Sequence, residues 1–200
     1  MKHIPALMLA ALMGTTAAPA LAQSQGDFTL GAGLGWIEPD DGSRISTGAK
    51  VSADGALSPT FTVEYFVADN IGVELLASWP FKHDLNINGT NVGETKHLPP
   101  TLSVQYHFTN ASQFTPFVGV GVNYTYFFDD KLDDGTPLDL DDSWGVALHA
   151  GLDRQISEKG SLRADVRYID IEPDLKVGGA KVGSVDINPW VFNVAYVRKF

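Results

Sequence analysis

Residues 118–126 read VGVGVNYTY, and every second residue of this stretch is valine or tyrosine. The residues between them, Gly119, Gly121, Asn123 and Thr125, are small or polar. A period of two residues is that of a β-strand whose two faces meet different surroundings. The stretch therefore predicts a strand with one apolar face and one face of small polar groups.

Seven other segments show the same alternation, so the sequence predicts eight strands. Their apolar sets lie within residues 28–36, 61–67, 71–79, 102–108, 118–126, 144–152, 162–168 and 190–196. The opposite face carries mostly glycine and short polar or charged side chains. The 20 glycines and 11 prolines are typical of a chain with many turns between short strands. We therefore predict an all-β fold.

The connections between the predicted strands alternate in length. Segments 37–59, 80–100, 128–143 and 170–189 are each about sixteen residues or longer, whereas 68–70, 109–113 and 157–160 are tight turns. In an up-and-down meander, alternate connections lie at opposite ends, so all the long loops lie at one end. Outer-membrane barrels have this arrangement, with short periplasmic turns and longer external loops.

Aromatic side chains of the apolar face fall at the ends of the strands. The end with the long loops carries Trp36, Trp79, Trp144, Trp190, Tyr126 and Tyr168. The end with the tight turns carries Phe28, Tyr65, Phe108 and Tyr196. Two aromatic girdles around an aliphatic band are typical of lipid interfaces. A soluble sandwich would instead place tryptophan in the middle of its strands. We therefore predict an eight-stranded antiparallel up-and-down transmembrane β-barrel.

Both ends of the chain carry features of export. Lys2 precedes an apolar stretch at residues 4–13, and an Ala-Leu-Ala cleavage signal ends at Ala22. We expect residues 1–22 to be a cleaved signal peptide and residues 23–200 to form a barrel in the bacterial outer membrane. Phe200 ends the last strand with Tyr196 on the same face, and this pattern resembles the signal read by the outer-membrane assembly machinery.

The composition excludes several functions. The chain has 24 acidic and 14 basic side chains, a net charge of -10, which argues against nucleic-acid binding. It has no cysteine, which excludes disulfides, thiolate metal sites and cysteine nucleophiles. Ser103, His107 and Asp153 could be imagined as a catalytic triad, but no nucleophile elbow supports it. We expect neither enzymatic activity nor a cofactor.

The inner face of the predicted barrel carries titratable side chains of both signs. The charged ones are Glu64, Glu74, Asp153, Asp165, Arg163, Arg167 and Lys199, and the same face carries His107 and His149. A lone buried charge is costly, so charges in a confined interior must pair. An eight-stranded barrel is only just wide enough to be filled by its own side chains. The lumen is therefore either a passage or plugged by Arg167 and its acidic partners.

Several segments, in order along the chain, resemble the outer-membrane protein W (OmpW) family. They are NIGVELLA at 70–77, PFKH at 80–83, KHLPPTLSVQ at 96–105, PFVGVGVNYT at 116–125, DSWG at 142–145, RYIDI at 167–171 and NPWVF at 188–192. The resemblance implies an eight-stranded outer-membrane barrel with a narrow, partly apolar lumen. It also implies uptake of small hydrophobic molecules that enter from the loops and leave sideways through the wall.

The resemblance also implies a role for one lumen residue. Leu76 matches the position that narrows the family's lumen, and the strand pattern independently points Leu76 inward. Some family members place a tryptophan where this chain has Arg167. That departure puts a purely hydrophobic constriction in doubt.

Two segments raise the question of metal binding. The stretch from Asp129 to Asp142 is rich in aspartate but does not fit an EF-hand loop, so a solvated external loop is favoured. Divalent ions that bridge this loop to lipopolysaccharide phosphates stay an open alternative. His83 and His97 lie in the second long connection, but no third ligand is evident. We expect no metal site.

The sequence thus predicts a barrel that gives small hydrophobic molecules passive passage with lateral exit through its wall. The alternative is a closed structural or receptor barrel that acts through its external loops without transport. The partners expected are outer-membrane lipid and lipopolysaccharide, the assembly machinery and a small hydrophobic ligand.

Overall fold

The computed structural model describes residues 23–40, 43–44 and 48–200, so the predicted signal peptide at residues 1–22 lies outside the described residues. Among the described residues, no helix is long and apolar enough to cross a membrane. The strands of the described residues are β1 (Phe28–Glu38), β2 (Ser43–Arg44), β3 (Lys50–Ala53), β4 (Ala56–Ala68), β5 (Ile71–Ser78), β6 (Phe81–Ile87), β7 (Thr90–Leu98), β8 (Thr101–His107), β9 (Phe114–Leu132), β10 (Leu138–Leu140), β11 (Ser143–Ser157), β12 (Gly160–Ile169), β13 (Asp174–Val177), β14 (Ala180–Ser184) and β15 (Trp190–Lys199).

Eight of these strands close into an antiparallel barrel. Around the barrel the order is β1, β4, β5, β8, β9, β11, β12 and β15, and β15 pairs back with β1. Closure gives the backbone groups of the first and last strands a partner, which hydrocarbon surroundings demand. The predicted up-and-down barrel, with its three tight turns at one end, is confirmed.

The barrel is apolar outside and polar inside. Val120 is 54% exposed and lies between Val104 and Leu148 on the neighbouring strands, both also exposed. The interleaved residues point inward, and most of the buried polar side chains belong to this inner set. This distribution is the opposite of that in a soluble protein and is the one that lipid requires. The face assignment made from the alternation is therefore confirmed.

The predicted aromatic rim lies on the outer face. Trp79, Trp144, Trp190 and Tyr126 are exposed, whereas Trp36 and Tyr168 are partly covered. Tyr168 packs on Trp190 with ring centroids 5.3 Å apart, and Tyr124 packs on Trp144 at 4.8 Å. These contacts link neighbouring strands at the end of the barrel that carries the long connections.

Much of the sequence expected to form long loops is strand instead. The 80–100 connection is the hairpin of β6 and β7, and β7 pairs with the upper part of β9, which runs on to Leu132. The alternation continues in this region, but here the polar side chains point outward and the mostly apolar ones point inward. Phe81, His83 and Leu85 are buried, whereas Lys82 and Asp84 are exposed. Above the membrane the outer face meets water rather than lipid, so the apolar residues turn inward.

Candidate functional site

The interior of the barrel has two chemically different parts. The part within the membrane-spanning strands holds a cluster of buried charged side chains. The part toward the long connections is an apolar core that includes Ile37, Ala147, Ile169 and Val191 from the barrel strands and Phe127 from the extension of β9. Together the two parts decide where a small molecule could pass.

Arg163 is the centre of the charged cluster. Its Nε and Nη2 donate to the two oxygens of Asp153 at 2.7 and 2.8 Å. Its Nη1 donates to Glu74 Oε2 at 2.6 Å, and Nη2 lies 3.4 Å from Glu64 Oε2. The guanidinium also stacks on Phe117, 4.4 Å from the ring centroid. One cation thus satisfies carboxylates from three different strands, in the paired geometry that arginine favours.

Arg167 extends the cluster toward the external end. It donates to Glu74 Oε1 at 2.6 Å and to Asp165 Oδ1 at 3.0 Å. Asn193 donates to the other oxygen of Asp165 at 2.9 Å, and Thr60 donates to Asn193 at 2.7 Å. The two oxygens of the Glu74 carboxylate are thus divided between the two arginines. The sequence left open which acids Arg167 meets, and the structure selects Glu74 and Asp165 but not Glu64.

Histidines and aromatic rings fill the remaining space. His107 Nε2 lies 2.8 Å from Glu64 Oε1, and its ring stacks on Phe117 with centroids 5.2 Å apart. His149 packs edge-on against Phe117, with ring centroids 5.7 Å apart. The cluster fits because several inward positions are glycine: a Cβ at Gly72 would lie 2.1 Å from Glu64 Oε1, and one at Gly151 would lie 2.4 Å from Phe117.

All the lumen residues predicted from the sequence point inward. Glu64, Glu74, Arg163, Asp165, Arg167, His107 and His149 are each at most 6% exposed. Leu76 is also buried, two residues beyond Glu74 on β5, and its neighbours on the adjacent strands are Thr62 and Thr101. The cluster fills the lumen, which favours the plugged state over the open one.

The sequence analysis did not predict that two residues of the cluster, Phe117 and Asp153, belong to the site. Phe117 was placed just before the fifth strand, but β9 begins at Phe114, and the alternation extended backward puts Phe117 inside. Asp153 stood in the inner set without an assigned partner, although Arg163 lies directly opposite it in the β11–β12 pairing. Cross-strand pairing of opposite charges was the signal that could have identified Asp153.

Above the charged cluster, the apolar core encloses a partly open cavity of about 70 Å³. Its lining comes from the strand extensions, from β10 and β13 of the small external sheet, and from residues 185–187 after β14. The lining is mostly aliphatic and includes Val51, Leu85, Ile87, Leu140, Leu175 and Val185. The sequence analysis did not predict this cavity, because residues from four separate connections form it.

The cavity lies at a discontinuity in the barrel wall. Pairing between β1 and β4 ends at Ile37 and Ala56, just beyond Trp36 of the aromatic rim. The same hairpin resumes farther out, where β2 pairs with β3 at Ser43 and Val51, while the other edge of β3 pairs with β6, so its ladder is interrupted between these two points. We call this discontinuity the lateral seam. Pro39 and Asp40 flank it on one side and Ser52 and Ala53 on the other, and all four line the cavity.

The aspartate-rich segment is more ordered than the solvated loop expected. Asp130 accepts hydrogen bonds from Thr95 at 2.5 Å and from the Leu140 amide at 3.0 Å, and Lys96 donates to Asp129 at 2.9 Å. Burial raises the pKa of Asp130. In the described part of the chain, no three acidic or histidine side chains come together to hold a metal ion. These aspartates serve instead to tie β9 to β7 and β10.

Comparison with known proteins places this geometry among outer-membrane barrels. Residues 24–200 match the protein family described as the OmpW family. The chain is 40% identical to outer membrane protein W of Vibrio cholerae, over 96% of this chain and 97% of that protein. It is 26% identical to the dibenzothiophene metabolism operon protein PahQ of Pseudomonas aeruginosa, over 80% of this chain and 79% of that one.

Solved structures agree with these sequence relatives. The crystal structure of OprG from Pseudomonas aeruginosa has a TM-score of 0.82 and 33% identity, and the match covers 90% of this chain and 99% of OprG. The structure of AlkL in lipid bilayers has a TM-score of 0.68 and 26% identity, over 94% of this chain and 96% of AlkL. These similarities confirm the predicted location in the bacterial outer membrane.

Proposed function

The chain belongs to the OmpW family, and from this premise we propose that it gives small hydrophobic molecules passive passage into the outer membrane through the lateral seam. The observation that carries the proposal is the position of the apolar cavity, which lies directly behind the seam and above a lumen that is closed. A molecule that enters from the external end therefore has an apolar site to occupy and one way out.

The charged cluster argues against a straight route to the periplasm. A molecule without charge would have to separate Arg163 and Arg167 from carboxylates that lie within 2.6 to 3.0 Å of them. Separation of buried ion pairs leaves uncompensated charges, at a cost of several kcal/mol. The same molecule would gain nothing from those polar groups, so the interior below the cavity acts as a barrier.

A route through the lateral seam has a lower free-energy cost than a route through the charged cluster. It begins beside Trp36, at the level of the aromatic rim, where the barrel meets the boundary between headgroups and acyl chains. An apolar molecule that leaves the cavity at the lower end of the seam, beside Trp36, reaches the acyl chains at the level of the rim and not the water around the external part of the barrel, so it keeps the favourable free energy of burial. The name of one relative, PahQ, connects that protein with metabolism of dibenzothiophene, an apolar aromatic compound. That connection supports an apolar cargo.

An uptake assay with a blocked seam tests the proposal. Ala53→Trp places an indole where Ala53 lines both cavity and seam, and we expect uptake of p-xylene to fall to that of protein-free vesicles, because the side chain fills a cavity of about 70 Å³. The measurement is the rate of p-xylene uptake into vesicles with lipopolysaccharide in the outer leaflet. Ala150→Trp, on the lipid-facing side of β11, is the control and should retain uptake.

Two results would contradict the lateral route. Uptake by the unaltered protein no faster than in protein-free vesicles would favour the alternative of a closed barrel that acts through its external loops, an alternative that the charged cluster supports. Normal uptake by Ala53→Trp together with faster uptake by Arg167→Trp would instead favour a route through the lumen.

The remaining partners are part of the same proposal. Phe200 and Tyr196 are exposed on the outer face at the end of β15, as a signal for the assembly machinery must be. The exposed apolar band and its aromatic rim would contact lipid and lipopolysaccharide.

A further inference from the structure

Trp36 is held differently from the other three tryptophans of the rim. Trp79, Trp144 and Trp190 are 69%, 72% and 49% exposed, whereas Trp36 is partly covered. Trp144 and Trp190 pack on tyrosines of neighbouring strands, but the indole of Trp36 donates from Nε1 to Glu38 Oε2 at 3.0 Å. Both residues belong to the outward set of β1, so the carboxylate holds the ring against the outer surface of the barrel.

Gly55 supplies the surface on which this indole lies. A Cβ at Gly55 would be 2.6 Å from Cζ2 of Trp36 and 2.6 Å from Oε2 of Glu38. Contacts that short do not occur between atoms without a bond, so any side chain at this position would displace both groups. Gly55 is not among the glycines with a positive φ, so a glycine is required here for the space and not for the backbone conformation.

The indole crosses the lower end of the lateral seam. Trp36 and Leu57 form the last outward-facing pair of the ladder between β1 and β4, and the ladder ends at the next pair, Ile37 and Ala56. Gly55 is the first residue beyond the ladder on the strand opposite Trp36. The ring therefore reaches from β1 across to the other edge of the seam and covers the point at which the two edges separate.

The cavity begins directly behind this cover. Pro39 follows Glu38 on one edge of the seam, Ala53 lies two residues before Gly55 on the other, and both line the cavity. A molecule that leaves the cavity at the lower end of the seam must therefore pass through the space that the indole occupies.

We propose that Trp36 is the gate of the lateral seam and that Glu38 is its latch. In the closed position the indole lies on Gly55 and donates to the Glu38 carboxylate. In the open position the side chain turns outward into the lipid interface and uncovers the gap between the two edges. The inference rests on the proposed function, because the gate controls the exit from the same cavity.

Rotation of this indole leaves the backbone ladder in place. The open position lies at the boundary between headgroups and acyl chains, where indole rings are favourably placed and the freed N–H can meet water or headgroup oxygens. In the described part of the chain no aromatic ring packs on Trp36, so no ring stack opposes the movement. The hydrogen bond to Glu38 then favours the closed position by about fivefold, the factor that corresponds to one net hydrogen bond.

Three substitutions open the gate in different ways. Trp36→Ala removes the indole, Gly55→Ala puts a methyl group where the ring lies, and Glu38→Met removes the acceptor. We expect Glu38→Met and Gly55→Ala to raise the rate of p-xylene uptake about fivefold in vesicles with lipopolysaccharide in the outer leaflet, and Trp36→Ala to raise it at least as much.

Two controls accompany these variants. Glu38→Gln keeps an oxygen that accepts from the indole, so its rate should stay closer to that of the unaltered protein than the rate of Glu38→Met does. Trp144→Ala removes an indole of the same rim on β11, away from the seam between β1 and β4, and should leave the rate unchanged.

A double variant tests whether gate and cavity lie on one route. Ala53→Trp fills the cavity behind the gate, so Trp36→Ala combined with Ala53→Trp should take up p-xylene no faster than protein-free vesicles do. Fast uptake by the double variant would mean that loss of the indole opens a leak elsewhere, and it would overturn the gate.

The position of the indole is measured without transport. The chain has four tryptophans, so replacement of Trp79, Trp144 and Trp190 by phenylalanine leaves Trp36 as the only one. Quenching of its fluorescence by brominated acyl chains reports how far the ring is exposed to lipid. We expect Gly55→Ala and Glu38→Met to increase the quenching, because both shift the ring toward the open position.

The outcomes separate this inference from the function on which it rests. Unchanged quenching in both variants overturns the gate whatever the uptake assay reports. Uptake by the unaltered protein that none of the three opening variants accelerates also overturns the gate, but leaves the lateral route standing. Uptake by the opening variants alone supports a gate that is closed most of the time, whereas no uptake by any of them contradicts both the gate and the lateral route.

Discussion

Arg163→Met is expected to lower the free energy of unfolding of the barrel by about 3–5 kcal/mol. The substitution removes a guanidinium that is 2% exposed and that pairs with Asp153, Glu74 and Glu64. Arg167 then remains to compensate the carboxylates of four acidic residues, and it reaches only Glu74 and Asp165. Methionine keeps much of the side-chain volume, so the loss reports charge pairing more than a cavity.

The measurement is urea unfolding in phospholipid vesicles, followed by fluorescence of the rim tryptophans. Lys159→Met is the matched control, because Lys159 is exposed in the turn between β11 and β12, where removal of a charge should change stability by less than about 0.5 kcal/mol. The deficit of Arg163→Met should shrink in acid, since protonated carboxyl groups cost less when unpaired. A loss no larger than that of the control would mean that the cluster does not hold the barrel together.

The membrane-spanning part of the fold could be predicted from the sequence because one physical rule governs it. Lipid outside and a narrow polar interior require that apolar residues alternate strictly with small or polar ones along each strand. Residues 118–126 show this alternation without exception. Loop lengths and the tryptophans then distinguish a membrane barrel from a soluble one. The same alternation placed Glu64, Arg163 and Arg167 inside.

The external part could not be predicted in the same way, because the alternation reverses there. At the rim an outward aromatic residue is followed directly by an inward apolar one, as in Trp36 and Ile37 or Tyr126 and Phe127. Two consecutive apolar residues interrupt the alternation of apolar and polar residues, so the sequence pattern predicts that the strand ends there and that a loop follows. The pairs themselves mark the level at which lipid gives way to water, and they could have indicated that the strands continue.

The cavity and the two histidines in its wall depend on tertiary structure. Lining residues come from segments as far apart in sequence as Val51 and Val185, and only the packing of β3, β6, β7 and β9 with the small external sheet brings them together. His83 and His97 were noticed as possible metal ligands, but their spacing says nothing of the parallel stack that their rings form or of the hydrogen bond between His83 and the Asp54 carbonyl.

Val120→Arg is expected to destabilise the barrel by about 2–4 kcal/mol, the cost of arginine on the lipid face at the bilayer midplane. Val120 is 54% exposed near the middle of the spanning part of β9, and Val104 and Leu148 on the adjacent strands offer no polar partner. The cost falls to about 0–1 kcal/mol near the interfaces, where the side chain reaches headgroups.

The depth dependence is what makes this test specific to the membrane. Phe108→Arg, at the rim near the tight turns, is the matched control and should cost much less than Val120→Arg in the same urea unfolding experiment in vesicles. Val120→Leu should be nearly neutral, because it keeps an apolar surface toward lipid. Equal losses for the two arginine variants would place Val120 away from the bilayer centre, and the seam beside Trp36 would then no longer lie at the level where a molecule leaving the cavity meets hydrocarbon.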